Sequence, residues 1–242
     1  GIMLGEDGMV KDDGVMARVG AQRFYLTTTT GGAATVLAWL EIWLQTEWPE
    51  LDVRLTSLTE HFSTIAVVGP NSRRVLQKLD CSIGLEREAF SFMEVKDARL
   101  AGLPVQIFRV SFSGELAFEV NINSNYGLHM WRALMEAGSE FDITPYGTEA
   151  MHVLRAEKGF VIVGQDTDGS VNPIDLGMTW MLSVDKDYLG KRSLSRPDAE
   201  RDGRKQLVGL RSVDATTVLG EGAQLIDQRR AEKPVPMCGH VT

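Results

Sequence analysis

The stretch HFSTIAVVGPNSRRVLQKL, residues 61–79, limits the fold more than any other. An alternating, β-branched run ends at Gly69-Pro70, and a helix-periodic run with Val75, Leu76 and Leu79 on one side begins at once. Pro70 suits a first helical turn, where a missing N–H costs nothing. A chain that passes from strand to helix across a few residues must bury one element against the other.

The same alternation of element types recurs along the chain. Residues 1–4, 14–20 and 22–27 read as short strands between Gly and Asp turns. Residues 33–46 read as a helix entered from TTTTGG, with a Thr oxygen as cap and Val36, Leu37, Leu40, Trp43 and Leu44 on one stripe. The helical spacing of Trp39 and Trp43 assigns them to packing before ligand stacking. Residues 52–69 predict two strands broken near Glu60 or His61, and further strands are expected at 91–95, 105–112 and in SGELAFEVNI. Helices are expected at 126–137 and 147–157. The sum is an α+β fold with mixed or antiparallel sheets and flanking helices.

Beyond residue 190 the pattern changes. Residues 191–205 are charged and read as a short helix and a linker, QLVGLRS starts a new strand, and residues 220–239 are turn-rich. The expected division is a domain at 1–200 and the beginning of a β module at 201–242. Both ends read as cut: GIMLG opens inside a strand without an initiator Met, and PVPMCGHVT stops on the approach to another. A piece of a longer polypeptide is expected.

Composition excludes several function classes. A net charge of −8 argues against non-specific binding to nucleic acid, which needs a cationic face, and leaves anionic small ligands open. Cys81 and Cys238 stand alone, which fits reduced thiols and neither a disulfide framework nor a zinc knuckle. The longest apolar runs are too short to span a bilayer, and no signal segment opens the chain, so a cytoplasmic protein without membrane contact is expected. The histidines, 61, 129, 152 and 240, form no metal-binding spacing, so no metal is expected. There is no G-x-G-x-x-G after a strand, no Walker A sequence and no G-x-S-x-G.

Three segments carry candidate chemistry. In GEDGMVKDDGVMARVG, residues 5–20, Asp12 and Asp13 suit a hairpin turn. Turn chemistry is the favoured reading of the pair; the functional reading is a carboxylate at a strand start, aimed into a cleft, that holds or accepts a ligand proton. In SFSGELAFEV, alternation puts Phe118 and Val120 on one face and Glu119 on the other, a solvent-facing position by default. In TEAMHVLRAEKGF, Arg155 lies near a helix C-terminus, where the macrodipole favours a cation. The following GQDTDGSVNP suits a loop over a cleft.

Taken in order, MLGEDGMVKDDGVMARVG, FYLTTTTG, TIAVVGPNSRRVL, RVSFSGELAFEV, YGTEAMHVLRAEKGFVIVGQDTDGSVNPIDLGMTW and YLGKRSL resemble the tetrahydrofolate-dependent aminomethyltransferases, whose type member is the glycine-cleavage T-protein. Within that family, TTTTG and PIDLGMTW are similar to the C-terminal, folate-binding region of heterotetrameric sarcosine oxidase alpha subunits. The resemblance implies a T-protein-like folate-binding fold truncated at both ends. It implies that Asp13 contacts folate near its reactive nitrogen and that Glu119 hydrogen-bonds the pterin ring. Phe112 stands where the T-protein pattern has Tyr, keeping the ring and losing the hydroxyl, and Arg155 matches the family's pocket arginine. The implied activity is capture of the one-carbon unit of sarcosine oxidation as 5,10-methylenetetrahydrofolate, within a complex with beta, gamma and delta subunits. Tetrahydrofolate would bind in this region; FAD, FMN and NAD would bind elsewhere in that complex. Alternatives are a catalytically silent docking module of the same fold and a T-protein-like partner of a lipoyl carrier.

Overall fold

The structure is a computed structural model and describes residues 1–227 and 233–242. Along the chain run β1 (Ile2–Leu4), β2 (Val10–Asp13), β3 (Met16–Gly20), β4 (Arg23–Leu26), α1 (Ala33–Thr46) and β5 (Phe62–Val68). Then come α2 (Ser72–Gln77), β6 (Val95–Leu100), β7 (Leu103–Phe108), β8 (Ala117–Asn123), α3 (Gly127–Gly138) and α4 (Thr148–Lys158). α5 (Pro197–Glu200), β9 (Gln224–Leu225) and β10 (Gly239–His240) complete the order. The chain forms two compact units, Val15–Val161 and Gly1–Gly14 with Ile162–Thr242.

The larger unit is built on an antiparallel four-stranded sheet in the order β5-β8-β7-β6. One face of the sheet carries Val67, Ala98, Leu100, Val105, Ile107, Phe118, Val120 and Ile122 into the core. Val75 and Leu76 of α2 and Met130, Leu134 and Ala137 of α3 close over it. This is the strand-to-helix passage of residues 61–79 realised as two layers. Pro70, however, stays outside the helix, which starts at Ser72 behind Asn71. The β3–β4 hairpin forms a separate two-stranded ladder in this unit.

Helix α1 has the expected bounds, and Thr29 Oγ1 accepts the Gly32 N–H at 3.2 Å. Its apolar stripe is only half used, with Val36 alone buried. Trp43 stacks on Trp48, 5.3 Å between ring centroids. Three strand expectations are corrected. Residues 52–58 form no strand: among the described residues no strand pairs with them, and Val53 and Leu58 stay exposed. The strand expected at 91–95 begins at Val95, since Phe90 is drawn into the core and Glu94 Oε2 accepts the Ser91 N–H in a local turn. Strand β7 ends at Phe108, because residues 109–114 turn back through Gly114 at φ 83°.

In the other unit β1 and β2 pair antiparallel, with Met3 opposite Asp12 and Ile2 opposite Asp13. The turn is GEDGM, closed by Gly5 N–H to Met9 O and by Gly8 N–H to Gly5 O. Asp12 and Asp13 are therefore strand residues at the end of β2, not turn residues and not a strand start, because β1 supplies the ladder. Val10 N–H reaches Val171 O at 2.8 Å, and Ser193 Oγ donates to Glu6 O at 2.6 Å. Gly190, at φ 82°, admits no side chain, since a Cβ would fall on the Gly5 carbonyl.

The stretch after residue 200 returns to the loop before it. Arg204 grips Asp175 through two hydrogen bonds of 2.8 and 2.5 Å, and Leu207 N–H donates to Asp175 O at 2.8 Å. β9 and β10 pair antiparallel, while QLVGLRS forms no strand for want of a partner. The turn-rich reading of 220–239 lies in part, at residues 228–232, outside the described residues. No helix among the described residues is long and apolar enough to cross a membrane.

Candidate functional site

Strand β8 sits inside the sheet, so its residues have neighbours on both sides. Phe118, Val120 and Ile122 point into the core at 0 to 1 % exposure. Glu119 projects from the opposite face, across from Ala66 on β5 and Phe108 on β7. The solvent-facing expectation for this residue fails: Glu119 is half-buried. Tyr25 of β4 packs on Phe108 at 5.5 Å and edge-on to Phe62 at 6.2 Å, which brings that aromatic cluster over this face. Tyr146, in the loop before α4, completes the surroundings.

The electrostatics of this group are unusual. Burial pushes the Glu119 carboxyl above the ordinary range. The Tyr25 and Tyr146 phenols are also pushed up, first by burial and then by the Glu119 charge. Among the described residues, no hydrogen bond or ion pair reaches the Glu119 carboxylate. Next along the strand Asn121 is satisfied, its Oδ1 accepting the Thr64 hydroxyl at 2.5 Å. A central strand therefore presents one desolvated, unpartnered acceptor pair beside two phenols.

Phe112 and Arg155 meet at Phe160. The rings of Phe112 and Phe160 stack with centroids 6.1 Å apart and planes 19° apart. Arg155 is 5 % exposed, and its Nη1 donates to Phe160 O at 3.1 Å. Gly159, left-handed at φ 81°, ends α4 and turns Phe160 back toward that guanidinium. Arg155 thus serves the helix end as the macrodipole argument requires.

Asp13 lies in the other unit, at the end of β2. Its carboxyl is pushed up by burial and then by the neighbouring Asp12 charge. Asp12 is 2 % exposed, and its Oδ1 accepts the Asp13 N–H at 2.8 Å. Of the residues singled out in the sequence, the structure brings Phe112 and Arg155 together at Phe160. Tyr25 and Tyr146 were missed: both stand inside quoted motifs, FYLTTTTG and YGTEA, but nothing local says that two distant tyrosines face one glutamate. Among the described residues no three His, Cys, Asp or Glu side chains gather as a metal site.

The raised Glu119 carboxyl has a consequence for stability. A carboxyl whose folded value lies above its unfolded one favours folding at low pH, and that contribution is lost as pH rises through the folded value. Glu119→Gln is therefore expected to raise the unfolding midpoint at pH 7 and to leave it unchanged below the ordinary carboxylate range, near pH 4. Thermal melts of both proteins at the two pH values check this.

The family model of the GCVT N-terminal domain matches residues 1–186. Over its whole length the chain is 56% identical to the sarcosine oxidase subunit alpha of Corynebacterium sp. (strain U-96), and it covers 25% of that protein. It is 29% identical, over 86% of its length, to an aminomethyltransferase of Halothermothrix orenii and covers 56% of it. The crystal structure of the glycine cleavage system aminomethyltransferase T from Bartonella henselae matches with a TM-score of 0.63 at 23% identity, over 74% of this chain and 45% of that one. That likeness is one of fold, and the fold is aminomethyltransferase-like. The chain spans about a quarter of the length of the sarcosine oxidase relatives.

Proposed function

This chain belongs to the GCVT N-terminal domain family, and we propose on that premise that it binds a reduced folate through Glu119. One observation carries the reading, the half-buried and unpartnered Glu119 carboxylate between Tyr25 and Tyr146. A pterin edge offers adjacent N–H donors, and a carboxylate accepts two of them side by side. Such donors would repay the desolvation that now pushes Glu119 up, so the ligand would lower its pKa. Phe112 supplies a ring at the Phe160 stack, and Arg155 anchors that corner.

Asp13 is the proposed catalytic group, holding or taking a proton at the reactive nitrogen. A carboxyl pushed up by burial and by Asp12 moves toward the range in which such exchange at neutral pH is efficient. Bound tetrahydrofolate would supply the nitrogens that receive a one-carbon unit. The reaction proposed is capture of the unit released by sarcosine oxidation, giving 5,10-methylenetetrahydrofolate, with the remaining subunits of such an oxidase as partners. The high identity to sarcosine oxidase alpha subunits supports that choice over a T-protein-like transfer. Residues 1–200 are proposed as the folate-binding domain and 201–242 as the start of a C-terminal β module.

Calorimetric titration with 5-formyltetrahydrofolate tests the reading. Saturable binding that is lost in Glu119→Ala and weakened in Asp13→Ala supports it. Absence of saturable heat with the unsubstituted chain sinks it.

A further inference from the structure

The face of the sheet that carries Glu119 also carries a polar row, two residues further along β8. Thr64, Asn121, Gln106 and Asp97 stand directly opposite one another across β5, β8, β7 and β6. Residues at i and i+2 of a strand share a face, so Asn121 points to the same side as Glu119, about 7 Å along the strand. Asn121 is 4% exposed, a costly place for a carboxamide unless it is used. Tyr25, packed on Phe108 and Phe62, helps to screen this part of the face from bulk water.

The neighbours decide which end of the amide is committed. Thr64 Oγ1 donates to Asn121 Oδ1 at 2.5 Å, which takes up the acceptor end from the β5 side. On the β7 side Gln106 is turned away, its Nε2 donating to Asp97 Oδ1 at 3.1 Å. Among the described residues no hydrogen bond uses Asn121 Nδ2, and the little exposure that Asn121 retains includes this nitrogen. A donor therefore stands beside the acceptor pair of Glu119. One donor followed by two acceptors complements an edge that offers one acceptor followed by two donors. A 2-amino-4-oxopyrimidine edge has that order: O4, N3–H and the 2-amino group.

We propose that Asn121 sets the specificity of the Glu119 site, its Nδ2 donating to the 4-oxo group of the pterin whose N3–H and 2-amino group Glu119 accepts. This rests on the folate reading of Glu119 and goes beyond it by naming the ring substituent that is selected. Thr64 is a positioning residue: its hydroxyl holds Oδ1 and so keeps Nδ2 turned to the ligand. A 4-amino group in place of the 4-oxo group sets donor against donor, and with little water at hand neither regains a partner.

The test pair is 5-formyltetrahydrofolate and its 4-amino-4-deoxy analogue, titrated calorimetrically against the chain and two variants. The unsubstituted chain is expected to bind the oxo compound at least about 100-fold more tightly. Part of that ratio comes from Glu119, because N3 of the analogue carries no proton; the variants isolate the rest. Asn121→Ala should weaken the oxo compound about 10-fold and leave the analogue unchanged, so the ratio shrinks about 10-fold. Thr64→Val keeps the shape of an exposed residue, leaves the fold intact, and should shrink the ratio about 3-fold. A merely structural asparagine would weaken both compounds alike. An unchanged ratio in Asn121→Ala or, should that variant fail to fold, in Thr64→Val overturns the proposal and leaves the folate reading standing. Tighter binding of the analogue by the unsubstituted chain does the same. No saturable binding of either compound by the unsubstituted chain overturns both.

Discussion

Replacing Glu119 with glutamine is expected to weaken binding of a reduced folate about 100-fold, or roughly 2.7 kcal/mol. Glutamine keeps the shape but offers one acceptor where the carboxylate offers two, and its amide NH₂ turns a donor toward the ligand's donors. Hydrogen bonds to a charged acceptor contribute about 1.5–3 kcal/mol each, so losing one and opposing another gives a change of this size. Titration of both proteins at pH 7 reads it directly. The same substitution is expected to raise stability at pH 7, since it removes a half-buried charge that has no partner. Opposite signs in the two measurements distinguish a ligand group from a structural one; loss of stability together with affinity would point to a structural role for Glu119.

Replacing Asp175 with alanine should produce the largest loss of stability, about 3–5 kcal/mol. The Arg204 side chain is 10% exposed and that of Asp175 5%, so removing the carboxylate leaves a buried cation. Asp175 Oδ2 also accepts the Asn172 N–H at 3.0 Å, which is lost too. Asp198 also pairs with Arg204, but as a 68% exposed carboxylate it cannot compensate. For a chain of this size the midpoint of thermal unfolding should fall on the order of 10 °C. The double variant Asp175→Leu with Arg204→Met should recover much of that loss, because two apolar groups leave no charge unpaired. A double variant as unstable as the single one would show that packing, not the ion pair, sets the cost.

The elements that could be read directly are those whose pattern is self-sufficient. Helix α1 and strand β8 carry their periodicity within themselves, and both lie where the sequence places them within a few residues. The failures share one cause. Residues 52–58 alternate but, among the described residues, find no strand to pair with, whereas residues 10–13 look like a turn yet become a strand because β1 lies opposite. Strand formation depends on a partner that local pattern does not contain. The same holds for the site: Glu119 was visible as an odd residue in a strand, but its desolvation and its electrostatic link to Tyr25 and Tyr146 were not.

By itself the sequence determined the α+β class, the helix–sheet grammar of residues 61–79, and the resemblance that singled out Asp13, Glu119, Phe112 and Arg155. These are properties of periodicity and motif order, which survive without a third dimension. Only the tertiary structure decided that Glu119 is desolvated and, among the described residues, unpartnered, that Arg155 and Phe112 meet at Phe160, and that β8 lies between β5 and β7. The physical reason is that desolvation and strand pairing are set by neighbours far away in the chain, and no local window of residues carries them.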